Sequence, residues 1–467
     1  MRFHALPLVS SISFLIQSAH TSPPEVIYRD VAIIGGGSAG TYSAIALKDK
    51  GFSTIVIEKK DRIGGHTETY TDPATGVPID MGVIIFHDIP TVKNYFSRFN
   101  LSLTPIPTLS SGTAGVYDLR YGTALNVTRP SQEELGAAFQ KFAAILSQWP
   151  QLAVGQFLPD PIPEDLLLPF GEFCKKHGIE AILPTASSYN PGLGDPLTVP
   201  TLEQIKVFGL GVIQSFNSFL TSANFNNSLL YAAAQAELLA SNSLLLNSQV
   251  TKSERTNSSV KLYVDTPTCK QIIIAKKLLI TIPAKTDYLK PFDLSAREKS
   301  VFKKFINGGY YTSVVKNTGL PANLSITNNA AGTPYNFIDL PGTYQISATG
   351  APNLHTVYYG APRTKNTVPI PEEQVKASII ADLKRLQAAN PGTFTKTEPE
   401  FAIFSSHAPF YLQVTAEDIK NGFYAQLYAL QGERNTYWNG ASFAAHDSST
   451  IWQFTDNVVL PQLVAGL

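Results

Sequence analysis

Two cysteines in 467 residues exclude a disulfide framework, a four-cysteine metal site and an iron–sulfur cluster. Net charge is missing as well: 36 Lys plus Arg stand against 36 Asp plus Glu. Without a basic excess there is no stripe to neutralise phosphates, so nucleic acid is not an expected partner. No run of five like charges occurs, which excludes a charged tail. The eight histidines are scattered without H-x-H or H-E-x-x-H spacing, so no metal site is expected. G-x-S-x-G is also absent, which leaves hydrolase chemistry without a nucleophile motif. Present instead is an apolar content of 44% against 15% charged residues, enough for a large core. The length suggests roughly two or three domain-sized units.

Residues 1–20 begin with Arg2 and continue through an apolar stretch from Ala5 to Ile16. That stretch is too short to span a bilayer and reads as a secretory signal peptide. No later segment holds eighteen uninterrupted apolar residues, so no integral span is expected after signal removal. Five Asn-x-Ser/Thr triplets, at Asn100, Asn126, Asn226, Asn257 and Asn323, agree with a secreted or luminal glycoprotein. In that compartment Cys174 and Cys269 either pair or remain as thiols.

The most informative stretch runs from Tyr28 to His66. An apolar, β-rich run ends at Ile34 and leads into Gly35-Gly36-Gly37-Ser38-Ala39-Gly40, a G-x-G-x-x-G. A helical pattern follows, and then a second strand ending at Glu58. Gly35 permits the tight turn, Gly37 allows close approach to a pyrophosphate, and Gly40 lets helix and strand pack. The N–H groups of Ser38 and Ala39 open the helix, where anions are favoured. Glu58 is spaced to accept hydrogen bonds from ribose hydroxyls, which disfavours a 2′-phosphate and leaves FAD or NAD.

The run EKKDRIGGH at 58–66 resembles the second fingerprint of the flavin-containing amine oxidase superfamily. The resemblance implies FAD and assigns Arg62, Gly64, Gly65 and His66 to its diphosphate and ribityl region. It extends to Asp80-Met81-Gly82, to the strand at 244–255 with Val250 as adenine contact, and to TIP at 281–283. It also covers the C-terminal turn at Gly440-Ala441, where many relatives carry Gly-Glu. Within the superfamily the chain is most similar to the fungal beta-cyclopiazonate dehydrogenase group, through GGH, PEDL-PF at Pro163 to Phe170 and NTGLP at Asn317 to Pro321.

The resemblance implies an α/β fold: a Rossmann-type, doubly wound FAD domain with an inserted α+β substrate domain. The FAD domain would comprise 28–86, 225–290 and 400–467, and the substrate domain 87–224 and 291–399. It further implies an FAD-dependent oxidoreductase acting on a small amine or aromatic metabolite, by hydride transfer to flavin N5 and with ring closure as one outcome. A desaturase or isomerase, or an idle flavin-binding carrier, is the alternative. One G-x-G-x-x-G means electrons leave to dioxygen or another small acceptor. The candidate catalytic residues are Lys316, from its likeness to a flavin-facing lysine; Tyr311, on a strand whose alternation turns it or Tyr310 inward; and His87, after the D-x-G stretch. Tyr437, Trp438 and His446 are further candidates beside the last flavin motif.

Overall fold

The computed structural model describes residues 25–106, 113–189 and 192–467; the expected leader at 1–20 lies outside them. The run Glu25–Ile34 forms a strand whose last four residues are buried. A strand covered on both faces must be apolar at consecutive positions, which explains VAII at its end. Thr54–Ile57 lies parallel on one side of it and Lys270–Ile280 parallel on the other. In space the first sheet runs Gln249–Arg255, Val260–Asp265, Lys270–Ile280, Glu25–Ile34, Thr54–Ile57, Leu244–Leu245. Thr436–Trp438 adds a short parallel strand on Lys270–Ile280.

The register matters for function. Ile34 is paired with both Ile57 and Ile280, and Ile280 with Trp438, so four strands end level. Their carboxyl ends open onto one crevice, the place where an open α/β sheet takes its ligand.

A second, eight-stranded sheet runs Glu400–Ser406, Ile306–Lys316, Leu354–Thr364, Gly342–Ala348, Leu324–Asn328, Thr113–Asp118, Thr123–Ala124, with Phe410–Gln413 also pairing on Ile306–Lys316. Residues 400–413 were expected in the last nucleotide segment. Their backbone pairs with Ile306–Lys316 instead, so the boundary falls after Gln413. Helix Glu372–Ala389 covers one face of this sheet through Val375, Ile379, Leu383 and Leu386.

A helical layer between 132 and 215 completes the fold. Its first helix, Gln132–Leu146, starts in a reciprocal Ser131–Glu134 capping box. Its Phe142 packs on Phe170, Phe173 and Phe208, all four fully buried. Cys174 is buried in helix Phe170–His177 and Cys269 is exposed; both are free thiols, so they do not pair. Among the described residues no helix is long and apolar enough to cross a membrane. The fold is thus α/β, with a Rossmann-type sheet joined to a second sheet and a helical layer.

Candidate cofactor and substrate site

Helix Ser38–Asp49 begins immediately after Gly37, so its first N–H groups lack intrahelical acceptors and point into the crevice. The turn into it needs glycine: Gly35 has φ +96°, and a Cβ on Gly40 would stand 1.9 Å from the carbonyl oxygen of Gly35. Opposite lies the GGH turn, where Gly64 has φ +107° and Gly65 φ +58°. A Cβ on Gly65 would come within 3.0 Å of the Gly37 Cα. Two backbone loops therefore meet with no side chain between them, a cradle that added side chains would fill. Glu58 fastens it: its carboxylate accepts from the Gly36 N–H at 2.7 Å and the Lys60 N–H at 2.8 Å.

The C-terminal turn docks on the same helix. Gly440, at φ +94°, packs near Ala39 and Thr281. Asn439 donates to Thr455 Oγ1 at 2.7 Å and accepts from the Gly440 N–H at 2.7 Å. Ser38 Oγ bonds Ser448 Oγ at 3.0 Å. Ala441 also lines the crevice, and its methyl group supplies no hydrogen bond there. Gly35, Gly37, Ser38, Ala39, Glu58, Gly64, Gly65, His66, Val250, Gly440 and Ala441 all line one cavity of about 2560 Å³. Gly40 lies behind the turn. Arg62 also lies behind the wall: it donates to the carbonyls of Ile63, Gly65 and Thr67 and pairs with Glu68, bracing the GGH loop.

Beyond the crevice the cavity reaches the second sheet. Here the structure differs from three sequence expectations. Lys316 sits at the far end of its strand, exposed, with Nζ 3.6 Å from Glu400. Tyr311 points away from the cavity into the core beneath helix Glu372–Ala389, its hydroxyl donating to the Ile370 carbonyl at 3.0 Å. Strand alternation gives the cavity Tyr310 instead. His87 is buried behind the wall, with Nε2 3.4 Å from Asp447 and its backbone N–H on Ser449 Oγ. Trp438 is fully buried against Phe302, and neither it nor Tyr437 lines the cavity.

The side chains that do converge are His66, His407 and His446, with Tyr310, Phe410 and Tyr411 between them. The His66 and His407 rings stack at 4.2 Å, and the Phe410 ring is 4.4 Å from His446. His446 Nε2 accepts from the Tyr411 N–H at 3.3 Å. His407 Nε2 is buried and has no hydrogen-bond partner among the described residues. Enclosure holds all three imidazoles below their ordinary value, His66 at about 4, and the cations of Lys60 and Arg62 push His66 and His407 the same way. Asp80, also on the wall, is pushed up to about 7 by burial, although it accepts from the Asn227 N–H.

His407 carries no sequence motif. It occupies the turn between Glu400–Ser406 and Phe410–Gln413, and only their common pairing with Ile306–Lys316 brings it to His66. The S-H-A-P tetrapeptide at 406–409 between two strand patterns was its only trace in the sequence.

A glycine cradle at the carboxyl ends of parallel strands, opening into a cavity lined by aromatic rings, defines a dinucleotide-dependent redox enzyme. Residues 33–99 match the NAD(P)-binding Rossmann-like domain. The chain is 45% identical over 448 residues to the FAD-dependent oxidoreductase oblC of Cochliobolus heterostrophus, covering 95% of this chain and 92% of that one. It is 31% identical over 463 residues to beta-cyclopiazonate dehydrogenase of Aspergillus flavus, covering 97% and 96%. Among solved structures, the CLA-producing fatty acid isomerase from P. acnes has a similar fold, with TM-score 0.72, 20% identity and coverage of 93% and 98%. A putrescine oxidase double mutant has TM-score 0.63, 15% identity and coverage of 94% and 100%. The chain belongs to the family of FAD-dependent oxidoreductases that includes beta-cyclopiazonate dehydrogenase. Its cofactor is FAD, and the cradle fits that group: bare backbone for a diphosphate, a helix N-terminus facing it, and a carboxylate at the end of the second strand.

Proposed function

We propose that this enzyme oxidises a small organic molecule at a C–N or C–C bond, with an amine or aromatic metabolite as the substrate class. The observation that carries the reading is the continuity of one cavity from the glycine cradle to the histidine–tyrosine wall. FAD, when bound, supplies the hydride acceptor at N5. The chain's own part is to orient the C–H bond, exclude water and receive the accompanying proton. His407 is proposed for that last task in place of Lys316, Tyr311 and His87. Burial favours its neutral form, it faces the cavity, and its Nε2 has no partner among the described residues. His66 and Tyr310 hold its ring by stacking and edge contact.

Gly37, Ser38, Ala39, Gly64 and Gly65 are proposed for the diphosphate and ribityl chain, Glu58 for the ribose, and Val250 for the adenine. Arg62 acts on the cofactor through the loop it braces. Dioxygen or another small molecule is proposed as final electron acceptor. A secreted or luminal location is part of the reading; the apolar start and the exposed Asn100, Asn126, Asn257 and Asn323 support it, whereas Asn226 is half-buried.

The test is an absorbance spectrum of the purified protein, followed by anaerobic mixing with tryptamine. Bleaching of the flavin band supports oxidation. A band shift without bleaching points to binding alone, and a colourless protein overturns the reading. His407→Asn should retain the yellow colour while slowing bleaching by about 10²-fold, the usual scale for a positioned base.

A further inference from the structure

Two hydroxyl groups beside the cradle are buried without hydrogen bonds. Tyr231 is 2% exposed, and its hydroxyl has no partner among the described residues. Thr67, also 2% exposed, leaves its hydroxyl in the same state. A buried hydroxyl without a hydrogen bond destabilises the fold, and buried tyrosines usually find an acceptor. Phenylalanine would fill the space of Tyr231 without that cost.

The place of Tyr231 is set by its helix, Ser228–Ala240. Gln235 accepts from the Ile63 N–H at 3.0 Å, and Glu237 pairs with Lys48 at 2.6 Å, so the helix is tied to both halves of the cradle. The Tyr231 ring rests on the GGH turn, where a Cβ on Gly64 would stand 3.1 Å from a ring carbon. Its hydroxyl faces those of Ser38, Thr67 and Ser448. Burial raises the phenol above its ordinary value and the three neighbouring hydroxyls oppose the rise, so the group keeps its proton and is a donor.

Ser38, Thr67 and Ser448 line the cavity, and Tyr231 stands behind them. Four hydroxyls therefore meet at one place, yet a single hydrogen bond joins them, between Ser38 Oγ and Ser448 Oγ at 3.0 Å. The nearby cations are engaged elsewhere: Lys60 and Arg62 pair with Glu68, and Lys59 lies over the Tyr288 ring at 5.7 Å. An anionic group at Gly37 and the start of helix Ser38–Asp49 would give the hydroxyl protons the acceptors they lack.

We propose that Ser38, Thr67, Tyr231 and Ser448 are a hydroxyl donor set for the diphosphate of FAD, with Tyr231 as its positioning residue. Ser38, Thr67 and Ser448 turn their protons towards diphosphate oxygens. Tyr231 donates from behind to one of the hydroxyl oxygens and fixes its orientation. This rests on the diphosphate placement proposed above and adds to it a residue from helix Ser228–Ala240, which lies far from both glycine motifs in the sequence.

The test uses the FAD-loaded protein. Tyr231→Phe keeps the ring and removes one hydroxyl. It should raise the Kd for FAD about tenfold, the scale of one hydrogen bond to a charged group, read from the fluorescence of flavin released on dilution. The phosphorus NMR resonances of the bound diphosphate should move, while the visible flavin band keeps its position. Tyr95→Phe is the control. Tyr95, on helix Pro90–Arg98, also has a buried hydroxyl without a partner among the described residues, but it lies away from the cavity lining. Its removal should leave the Kd unmoved. An unmoved Kd or unmoved phosphorus resonances in Tyr231→Phe, or an equal loss in Tyr95→Phe, overturns the donor set. Thr67→Val decides by the same two readouts if Tyr231→Phe does not fold. Gly37→Val tests the placement separately: retained FAD there overturns the placement and the donor set with it. FAD lost in Gly37→Val with an unmoved Kd in Tyr231→Phe overturns the donor set alone.

Discussion

Gly37 and Gly40 belong to one motif but meet different surroundings. A Cβ on Gly37 would find only the Gly65 Cα, at 3.8 Å, and otherwise open crevice. A Cβ on Gly40 would collide with the Gly35 carbonyl at 1.9 Å and Thr281 Oγ1 at 2.8 Å. Gly37→Val should therefore fold normally and lose FAD, read as a thermal midpoint unchanged in FAD-free protein and a missing 450 nm band (roughly the usual flavin region). Gly40→Ala should lose about 1–3 kcal/mol of stability, the usual cost of overpacking, measured by urea unfolding. Lys316 is predicted at the same scale. Its exposed pairing with Glu400 contributes at most about 1 kcal/mol. Lys316→Met should leave flavin content and the rate of flavin reduction within experimental scatter, and a sharp slowing would restore it to the site.

At the scale of elements, the edge of the first sheet is tied to its surroundings by ions. Arg255, on Gln249–Arg255, is buried and makes two 2.8 Å hydrogen bonds to Glu298, which is also buried, on helix Ala296–Phe302. Asp293 bonds the same guanidinium at 3.0 Å, and Arg434 reaches both acids. The guanidinium holds the Glu298 carboxyl below its usual range despite burial. Removing one member strands a buried charge. Arg255→Met should cost about 3–5 kcal/mol, measured by urea unfolding, whereas replacing Arg255 and Glu298 together by Met and Leu should recover much of that loss. The double variant separates the worth of the pair from the penalty of breaking it. Recovery no better than the single variant would contradict the account.

For the whole molecule, the histidine wall couples folding to pH. A histidine kept neutral by enclosure has a folded value below its unfolded value of about 6.5. Between those values the unfolded chain binds more protons, so stability rises with pH there and is lost as pH falls. For His66 the window runs from about 6.5 down to about 4, and His407 and His446 act in the same direction. Asp80 acts oppositely: its raised value removes stability as pH climbs from the ordinary carboxylate range through about 7. On the cavity wall the three imidazoles outweigh the one acid, so the wall's contribution to stability should fall between pH 7 and 5. His407→Asn should lose less, by up to ~1.4 kcal/mol per pH unit for the one proton removed. Parallel unfolding curves for the two proteins would show that His407 titrates as an ordinary histidine.

Legibility in the sequence followed the range of the interactions. The cradle was readable because its parts are neighbours: a buried strand, glycines with forced backbone geometry, a helix start and Glu58 fall within thirty-odd residues (roughly the span of one βαβ unit). No distant segment is needed to interpret them. Tyr310 and Tyr311 mark the limit. Alternation says that one of the pair faces inward, but which one depends on what covers each face of the sheet. Helix Glu372–Ala389 covers the face of Tyr311, and the cavity opens on that of Tyr310. Lys316 was misread for the same reason, since likeness along a strand does not say how far along it the ligand lies. His407 was beyond reach, because strand pairing between distant segments sets it on His66. The amino-acid sequence by itself thus determined a dinucleotide cradle, through short-range backbone sterics and a helix terminus, and its resemblance to a family of flavoenzymes pointed to FAD. The tertiary structure alone decided which side chains face the substrate, because that choice depends on sheet register and on what packs behind each wall.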